Sequence, residues 1–428
     1  MPGVRIVLAV ASLAACSAEK PPATLADSAA RSPRPDSASS GATIPPASSP
    51  DAASTVRPDR GLDSDAFQVT DSAGITLAVT TGAAACARMR WNVEPTPLLQ
   101  IGEQEGPREQ YQFHRLTGMT VRGSHIIVAD DGSRELRLYD RNGEFVRKAG
   151  GPGSGPGEFQ SVHIVPAFWG DSIVAYDHRL RRLHIYSADG RTRRGLRDDV
   201  GVRPIGAAHN HLLGSRVTGP LLATGYQRLS AVYSWTDLRT GQHDTIAVLN
   251  DLASFRPPQG VGYMGAAFPY MVVPSAHVGP TGFLITSGES AEIREYDLTG
   301  KLRRLIRLDD PAQPVTRADY DRLASRMAGE VERMKQAYAH APLPSRRPAF
   351  QRLIVDDDGW LWVKTYRTPL DAGPDLWLVF DLDRRCVRAV DMPAELDVQH
   401  IGRDFILAEW RDADRVEYVR MHRLDRHD

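Results

Sequence analysis

The sequence lacks the motifs that define common catalytic and metal-binding sites. Only three cysteines occur in 428 residues, and no two of them have the Cys-x-x-Cys spacing of a zinc or redox site. His-Glu-x-x-His, Gly-x-Ser-x-Gly and the phosphate-binding Gly-x-x-x-x-Gly-Lys motif are absent as well. No metalloprotease, α/β-hydrolase or P-loop nucleotide site is therefore defined by its motif.

The sequence also has no excess of charge of either sign. Lys and Arg number 52, Asp and Glu number 53, and the formal net charge is −1. Because a nucleic-acid-binding surface needs clustered positive charge, we expect no nucleic-acid partner. Three short arginine pairs are interpreted as solvated strand ends: Arg181 with Arg182, Arg303 with Arg304, and Arg346 with Arg347.

The apolar run at the N-terminus is too short to cross a bilayer. About ten apolar residues follow Arg5, a length typical of an export signal, and they predict a signal peptide over residues 1–15. Its end, Leu13–Cys16 (LAAC), resembles the lipobox of bacterial lipoproteins. The resemblance implies that Cys16 is lipidated, and Ser17 after it favours the outer membrane. The alternative is an ordinary secretory signal in which Cys16 is incidental.

Residues 16–65 have the composition of a tether. Residues 17–60 contain 8 Pro, 9 Ser and 10 Ala, with few large apolar side chains. Such a segment cannot bury enough apolar surface to fold alone. We expect a disordered link between the anchor and a domain over residues 66–428.

The other two cysteines, Cys86 and Cys386, are three hundred residues apart. In an oxidising compartment such a pair can form a disulfide, but sequence alone does not show that the two thiols meet. The alternative is a pair of half-buried thiols that pack as small apolar groups.

One pattern recurs beyond residue 65: an apolar strand, a second strand ending in an aromatic residue and Asp, a turn with Gly, and a basic-apolar strand. The turns are centred about 47, 50, 60 and 84 residues apart, at Asn142, Asp189, Arg239, Thr299 and Asp383. A period of about 40–50 residues with four strands per repeat is typical of propeller blades. The sequence therefore predicts an all-β, six-bladed β-propeller over residues 66–428, with Phe67–Thr81 supplying the last strand.

The interval of 84 residues contains an insertion with helical periodicity. Apolar residues recur at steps of three and four over residues 316–338, and Thr316 with Asp319 predicts a capping box. We expect one amphipathic helix that docks on the propeller. The alternative is a lid or a docking helix for a partner, since Gly329 interrupts the segment.

The phrase Tyr139–Phe159, with its Gly-Pro-Gly-Glu-Phe loop, resembles the NHL-type repeats of bacterial exported six-bladed β-propeller lipoproteins. The resemblance implies that the glycine-rich loop Ala149–Gln160 crosses from one blade to the next, with Phe159 plugging the core. A phosphate-binding interpretation lacks the required glycine spacing and the following helix.

Few residues stand out as ligands. The uncharged segment Gly260–Met271 is a candidate loop at the channel mouth, with Tyr263, Phe268 and Tyr270 facing a ligand, or else a crossing packed between blades. His209 and His211 are spaced to share a strand face, but no further zinc ligands accompany them. No cofactor and no catalytic residue is predicted, and a metal ion in the channel is left open.

These features predict a lipid-anchored propeller of the cell envelope that acts as a binding or scaffold module. Its partner is expected to be an envelope protein or a saccharide, contacted in the periplasm or at the cell surface, and the chain is expected to be a monomer. The alternative is a metal-dependent hydrolase or lyase resembling propeller lactonases, an analogy that rests on fold alone.

Overall fold

A computed structural model describes the chain from residue 66 to residue 426, apart from short gaps. The gaps are residues 83–85, 87–89, 198–200, 220–224, 257–263, 266–267, 272–273, 310–312 and 330. The predicted signal peptide, the lipidated Cys16, the tether over 16–65 and Tyr263 all lie outside the described residues.

Three strands precede the repeating part of the fold: β1 (Phe67–Ser72), β2 (Ile75–Thr81) and β3 (Arg90–Ile101). The first two units are each antiparallel and four-stranded. Unit 1 contains β4 (Leu116–Arg122), β5 (His125–Asp130), β6 (Glu135–Tyr139) and β7 (Phe145–Gly150). Unit 2 contains β8 (His163–Val165), β10 (Ile173–Asp177), β11 (Arg182–Tyr186) and β12 (Thr192–Arg197), while β9 (Ala167–Phe168) pairs with the next unit.

Units 3 and 4 carry additional strands at their edges. Unit 3 contains β13 (Arg203–Ala208), β14 (His211–Thr218), a long hairpin of β15 (Gly225–Asp237) and β16 (His243–Arg256), and β17 (Met264–Gly265). Unit 4 contains β18 (Ser275–Val278), β19 (Gly282–Thr286), β20 (Glu292–Asp297) and β21 (Leu302–Asp309).

Units 5 and 6 share one continuous sheet through β3. Unit 5 contains β22 (Phe350–Val355), β23 (Leu361–Thr365), β24 (Asp375–Phe380) and β25 (Cys386–Met392). Unit 6 contains β26 (Asp397–Ile401), β27 (Phe405–Arg411) and β28 (Glu417–Asp425), and β3 adds to it beside β28.

The described units surround a common centre. Their first strands contact one another in the cyclic order β4, β8, β13, β18, β22, β26 and back to β4. Second strands such as β5 and β10 are apolar and buried almost throughout, because neighbouring units cover both of their faces. This arrangement is a β-propeller, and the all-β prediction is confirmed.

Turns centred on aspartate explain why the repeat is visible in the sequence. In each of Asp140, Asp297 and Asp412 the Oδ1 atom accepts hydrogen bonds of 2.9 to 3.0 Å from the backbone N–H groups two and four residues later. Gly143 and Gly300 follow three residues after their aspartates with φ of 83° and 81°, a conformation that favours glycine.

The prediction that Phe67–Thr81 supplies the last strand of the final unit is wrong. β1 and β2, within Phe67–Thr81, extend unit 4 instead, where β2 runs parallel to β21. Unit 6 is completed by β3, because the buried side chains of Val93 and Ile101 pack into the cores of the units that β3 joins. An alternating pattern marks a half-buried strand but does not choose between two free sheet edges.

The insertion between β21 and β22 forms two helices rather than the single predicted helix over 316–338. They are α1 (Arg317–Ala328) and α2 (Glu332–His340). The predicted capping box of Thr316 and Asp319 is present, and α1 ends at Gly329, whose φ is 51°. The hydroxyl of Tyr320 donates to the carbonyl of Tyr338 at 3.0 Å, which ties the two helices together.

Candidate ligand-binding cleft

A cleft of about 370 Å³ opens between units 4 and 5 on the side that carries the helical insertion. Its walls are the β19–β20 connection, the segment before β22 and the β23–β24 connection. We call this side the insertion face. The aspartate-centred turns lie at the opposite ends of the same strands, on the turn face. A volume of this size is typical of sites for small ligands.

Backbone hydrogen bonds fix the cleft walls. Ala349 and Phe350 donate to the carbonyl of Gly288 at 2.9 and 3.0 Å, which joins unit 5 to unit 4. Tyr366 donates to the carbonyl of Ala349 at 3.0 Å, and Arg347 donates to Gln313 at 2.8 Å. The segments on either side of the insertion are therefore held at the rim of the cleft.

The floor of the cleft is apolar and the walls are polar. Leu308, Phe350 and Leu378 line the cleft and are almost fully buried. Polar and charged side chains surround this floor: Glu289, Ser290, Gln313, Arg346, Arg347, Thr365, Tyr366, Arg367 and Asp371. Apolar surface with a few fixed polar groups can hold a ligand and orient it.

Two of the arginines in the wall are already paired. Arg347 Nη2 donates to Asp371 Oδ2 at 2.6 Å, and the guanidinium lies 5.9 and 6.0 Å from the ring centroids of Tyr270 and Tyr366. Arg367 Nη1 donates to Asp375 Oδ1 at 2.9 Å.

Asp371 is held in its charged form. Burial raises the pKa of Asp371, but hydrogen bonds from Thr368 and Arg347 outweigh this effect and hold the pKa below its usual value. Arg346 and Arg347 both line the cleft. The sequence interpretation of this pair as a solvated strand end therefore missed their place in the cleft wall.

The residues expected at a ligand-facing loop lie beside the cleft, under the insertion. Phe268 and Tyr270 are 3% and 8% exposed and pack in one cluster with Tyr320, Leu323 and Tyr338. Their rings are therefore covered by α1 and α2 rather than open at the channel mouth. The insertion docks on the propeller through this cluster, as the first of the two sequence interpretations expected.

Polar side chains from three units meet at the centre of the ring. Thr120 Oγ1 lies 3.0 Å from His400 Nδ1, and His400 Nε2 lies 3.1 Å from Asp357 Oδ2. The cavity beside them measures about 40 Å³, roughly the space of one or two water molecules. These three residues link units 1, 6 and 5.

Two channel-lining residues have shifted acidities. Burial raises the pKa of Asp357, but the hydrogen bond with His400 and the nearby charges of His400, Arg122 and Arg141 together outweigh it and lower the pKa overall. Burial lowers the pKa of His277 to about 4, so its imidazole is neutral at pH 7. Within the described ranges no three His, Cys, Asp or Glu side chains come together as a metal site requires.

The two histidines considered as zinc ligands, His209 and His211, lie in different surroundings. His209 lies exposed in the β13–β14 turn with a φ of 49°, and the ring of His211 packs 5.5 Å from that of Trp235. The glycine-rich loop Ala149–Gln160 joins unit 1 to unit 2, and Phe159 is fully buried, as the blade-crossing interpretation predicts.

The structure joins Cys86 and Cys386 as a disulfide, with Cα atoms 5.1 Å apart. Both side chains lie in the core cluster between units 4 and 5, beside Leu378 and Phe380. The bond attaches the segment between β2 and β3 to β25. No helix in the described part of the chain is both long and apolar enough to cross a membrane.

The fold and the cleft together define a β-propeller with a ligand-sized site on one face. No protein-family profile and no characterised protein matches the sequence. Solved structures resemble the fold. One is a Bacteroides fragilis protein described as exported, with a TM-score of 0.43, 11% identity, and coverage of 82% of this chain and 100% of that chain.

Two other similar structures come from different organisms. A member of the DUF4221 family from Bacteroides vulgatus has a TM-score of 0.42 and 11% identity, covering 78% of this chain and 98% of its own. Virginiamycin B lyase from Staphylococcus aureus has a TM-score of 0.36 and 9% identity, covering 78% and 94%. At these scores the likenesses carry no argument about function.

The cleft arginines were not found by sequence reasoning, because their partners are remote along the chain. Arg347 pairs with Asp371, 24 residues away, and Glu289 pairs with Arg228, 61 residues away. The available signal was the position of the Arg346–Arg347 pair, directly after a predicted helical insertion that interrupts the repeat.

Proposed function

We propose that this chain is an exported, lipid-anchored six-bladed β-propeller that acts in the cell envelope as a binding module. Its six units are the blades, and β3 closes the ring. Cys16 carries the lipid, residues 16–65 form the tether, and the protein or saccharide partner contacts the insertion face. The cleft between units 4 and 5 is the observation that carries this proposal.

The distribution of added structure supports the choice of face. The turn face carries short turns, three of which, in units 1, 4 and 6, use the same pattern of aspartate hydrogen bonds. The insertion face carries α1, α2 and the cleft. Because binding residues are disproportionately found on loops held by a rigid scaffold, the elaborated face is the better candidate.

The exposed side of the insertion is polar. Arg317, Arg322, Arg326, Lys335 and Gln336 are exposed, whereas the opposite side of the two helices is buried in the aromatic cluster. The insertion is thus anchored by its apolar side and presents charged and amide groups to a partner.

Photo-crosslinking in cells tests this proposal. A photoreactive amino acid replaces Gln336 on the insertion face, or Arg191 in a turn on the turn face, in the full-length protein. We expect crosslinked protein or glycan, identified by mass spectrometry, from position 336 and not from position 191. Absence of adducts at position 336, or equal adducts at both positions, would overturn the proposal.

A further inference from the structure

The charges in the cleft wall indicate the kind of ligand that fits it. The lining contains Arg346, Arg347 and Arg367 together with Glu289 and Asp371, so three cations and two carboxylates leave one net positive charge. A ligand with one negative charge matches this balance. A second negative charge placed inside the cleft would be repelled by the two carboxylates, so any further charges of a larger ligand must lie outside it.

The internal ion pairs of the cleft leave one cation uncommitted. Arg347 is paired with Asp371 at 2.6 Å, Arg367 with Asp375 at 2.9 Å, and Glu289 with Arg228 at 3.1 Å. Arg346 is exposed, and its side chain forms no ion pair with any residue that the structure describes. Its backbone is fixed at the rim by a bridge to Pro314.

The apolar floor limits the body of the ligand. Phe350, Leu308 and Leu378 line the cleft and are between 0% and 7% exposed, so the apolar part of the site is small. A cavity of about 370 Å³ is roughly the volume of a dozen water molecules, which suits a ligand the size of a monosaccharide. Tyr366 also lines the wall beside this floor.

We propose that the cleft binds a ring-sized monocarboxylate, specifically a sugar acid, with Arg346 gripping the carboxylate. This inference rests on the proposed binding function and names its ligand class. A planar carboxylate matches the two parallel N–H donors of a guanidinium, which makes such pairs strong and directional. Gln313, Thr365 and Asp371 provide amide, hydroxyl and carboxylate groups for the sugar hydroxyls, and the apolar floor packs against the C–H face of the ring.

Titration calorimetry on the full-length protein tests the assignment. The probes are D-galacturonate, its trimer, neutral D-galactose and acetate, and the variants are Arg346→Glu and Arg346→Lys. Arg191→Glu on the turn face is the control for charge. We expect saturable galacturonate binding that weakens at least tenfold in Arg346→Glu and less in Arg346→Lys, with no change in Arg191→Glu. Added salt should also weaken it.

The probes separate the sources of the ligand. Tighter binding of the trimer than of the monomer supports an acidic polysaccharide, and equal binding supports a free sugar acid. Binding of galactose or acetate as tight as that of galacturonate, or an unchanged affinity in Arg346→Glu, overturns the inference.

Failure of this inference is distinguishable from failure of the proposed function. If galacturonate and its trimer do not bind while position 336 still crosslinks to a partner, the sugar-acid assignment is wrong and the binding function stands. If galacturonate binds but position 336 yields no adduct, the partner-binding insertion face is wrong and the cleft assignment stands.

Discussion

Glu409 is a carboxyl group that the fold holds in an unusual state. It is 8% exposed on β27, and burial raises its pKa to about 7 although Arg411 lies beside it at 2.6 Å. Arg411 also pairs with Glu417 at 2.9 Å, and Glu417 accepts a hydrogen bond of 2.6 Å from the backbone of Leu116. The group therefore lies where unit 6 meets unit 1.

The raised pKa of Glu409 makes stability depend on pH. The ordinary pKa is 4.5, so between pH 4.5 and about 7 the folded state binds a proton that the unfolded state has lost. Stability from this group is thus full below pH 4.5 and is lost as the pH rises to about 7. We expect Glu409→Gln to raise the free energy of unfolding at pH 8 by about 1–3 kcal/mol and to have little effect near pH 4.

Denaturant unfolding at both pH values measures this effect. Glu105→Gln is the matched control, since Glu105 is exposed and no hydrogen bond or ion pair with another described residue involves it. Equal effects of Glu409→Gln at pH 4 and pH 8, or destabilisation at pH 8, would show that burial of the ionised carboxylate is not costly.

At the scale of elements, the disulfide ties the segment before β3 to β25, the strand that β3 pairs with where it begins. The intervening segment of 300 residues makes the constraint on the unfolded chain large, and such a bond typically contributes about 2–5 kcal/mol. We expect a reducing agent to lower the melting temperature by several degrees. The double variant Cys86→Ser with Cys386→Ser should have the same melting temperature as the chemically reduced parent protein. Its melting temperature should not change when the reducing agent is added.

A melting temperature that does not respond to reduction in the parent chain would contradict that role. The melt is recorded only after thiol titration shows that the disulfide is fully reduced. This check is needed because Cys86 is buried, which slows access of the reducing agent.

The repeating elements could be predicted because their signals are local. Asp297, Gly300 and the strands around them specify a turn within five residues, and Thr316 with Asp319 specifies a helix start. The sequence does not show which sheet edge β1, β2 and β3 occupy. That choice depends on which edge offers a core that fits their buried side chains, and only the folded chain shows it. Gly329 indicates a break in the helical insertion. The sequence does not indicate that α2 folds back on α1, since this depends on the contact of Tyr320 with Tyr338.

The candidate site was less predictable because its residues come from segments that are far apart in the sequence. Its arginines, its apolar floor and its carboxylates come from segments between residues 289 and 378, and only folding brings them together. Phe268 and Tyr270 belong to an uncharged segment unlike the blades around it, and the insertion covers their rings. An uncharged aromatic segment indicates burial but not what buries it.

At the scale of the whole molecule, the proposal requires attachment to a membrane. Cys16→Ala should move the protein from the membrane fraction to the soluble envelope fraction, because a stable anchor needs more than one acyl chain and the lipidated cysteine would supply them. Quantitative blotting after fractionation measures this, and Ser28→Ala in the proposed tether serves as the control substitution. Continued sedimentation of Cys16→Ala with membranes would contradict lipid anchoring at that residue.

Amide hydrogen exchange on the membrane-bound protein tests the central claim most directly. Intact envelopes are compared with the purified, detergent-solubilised protein, and protection is followed by peptide. A partner on the insertion face predicts slower exchange in envelopes for residues 288–291, 346–350 and 366–374, and unchanged exchange for the turns at 140–144 and 412–416. Equal exchange of the cleft segments in both samples, or protection confined to the turn face, would contradict it.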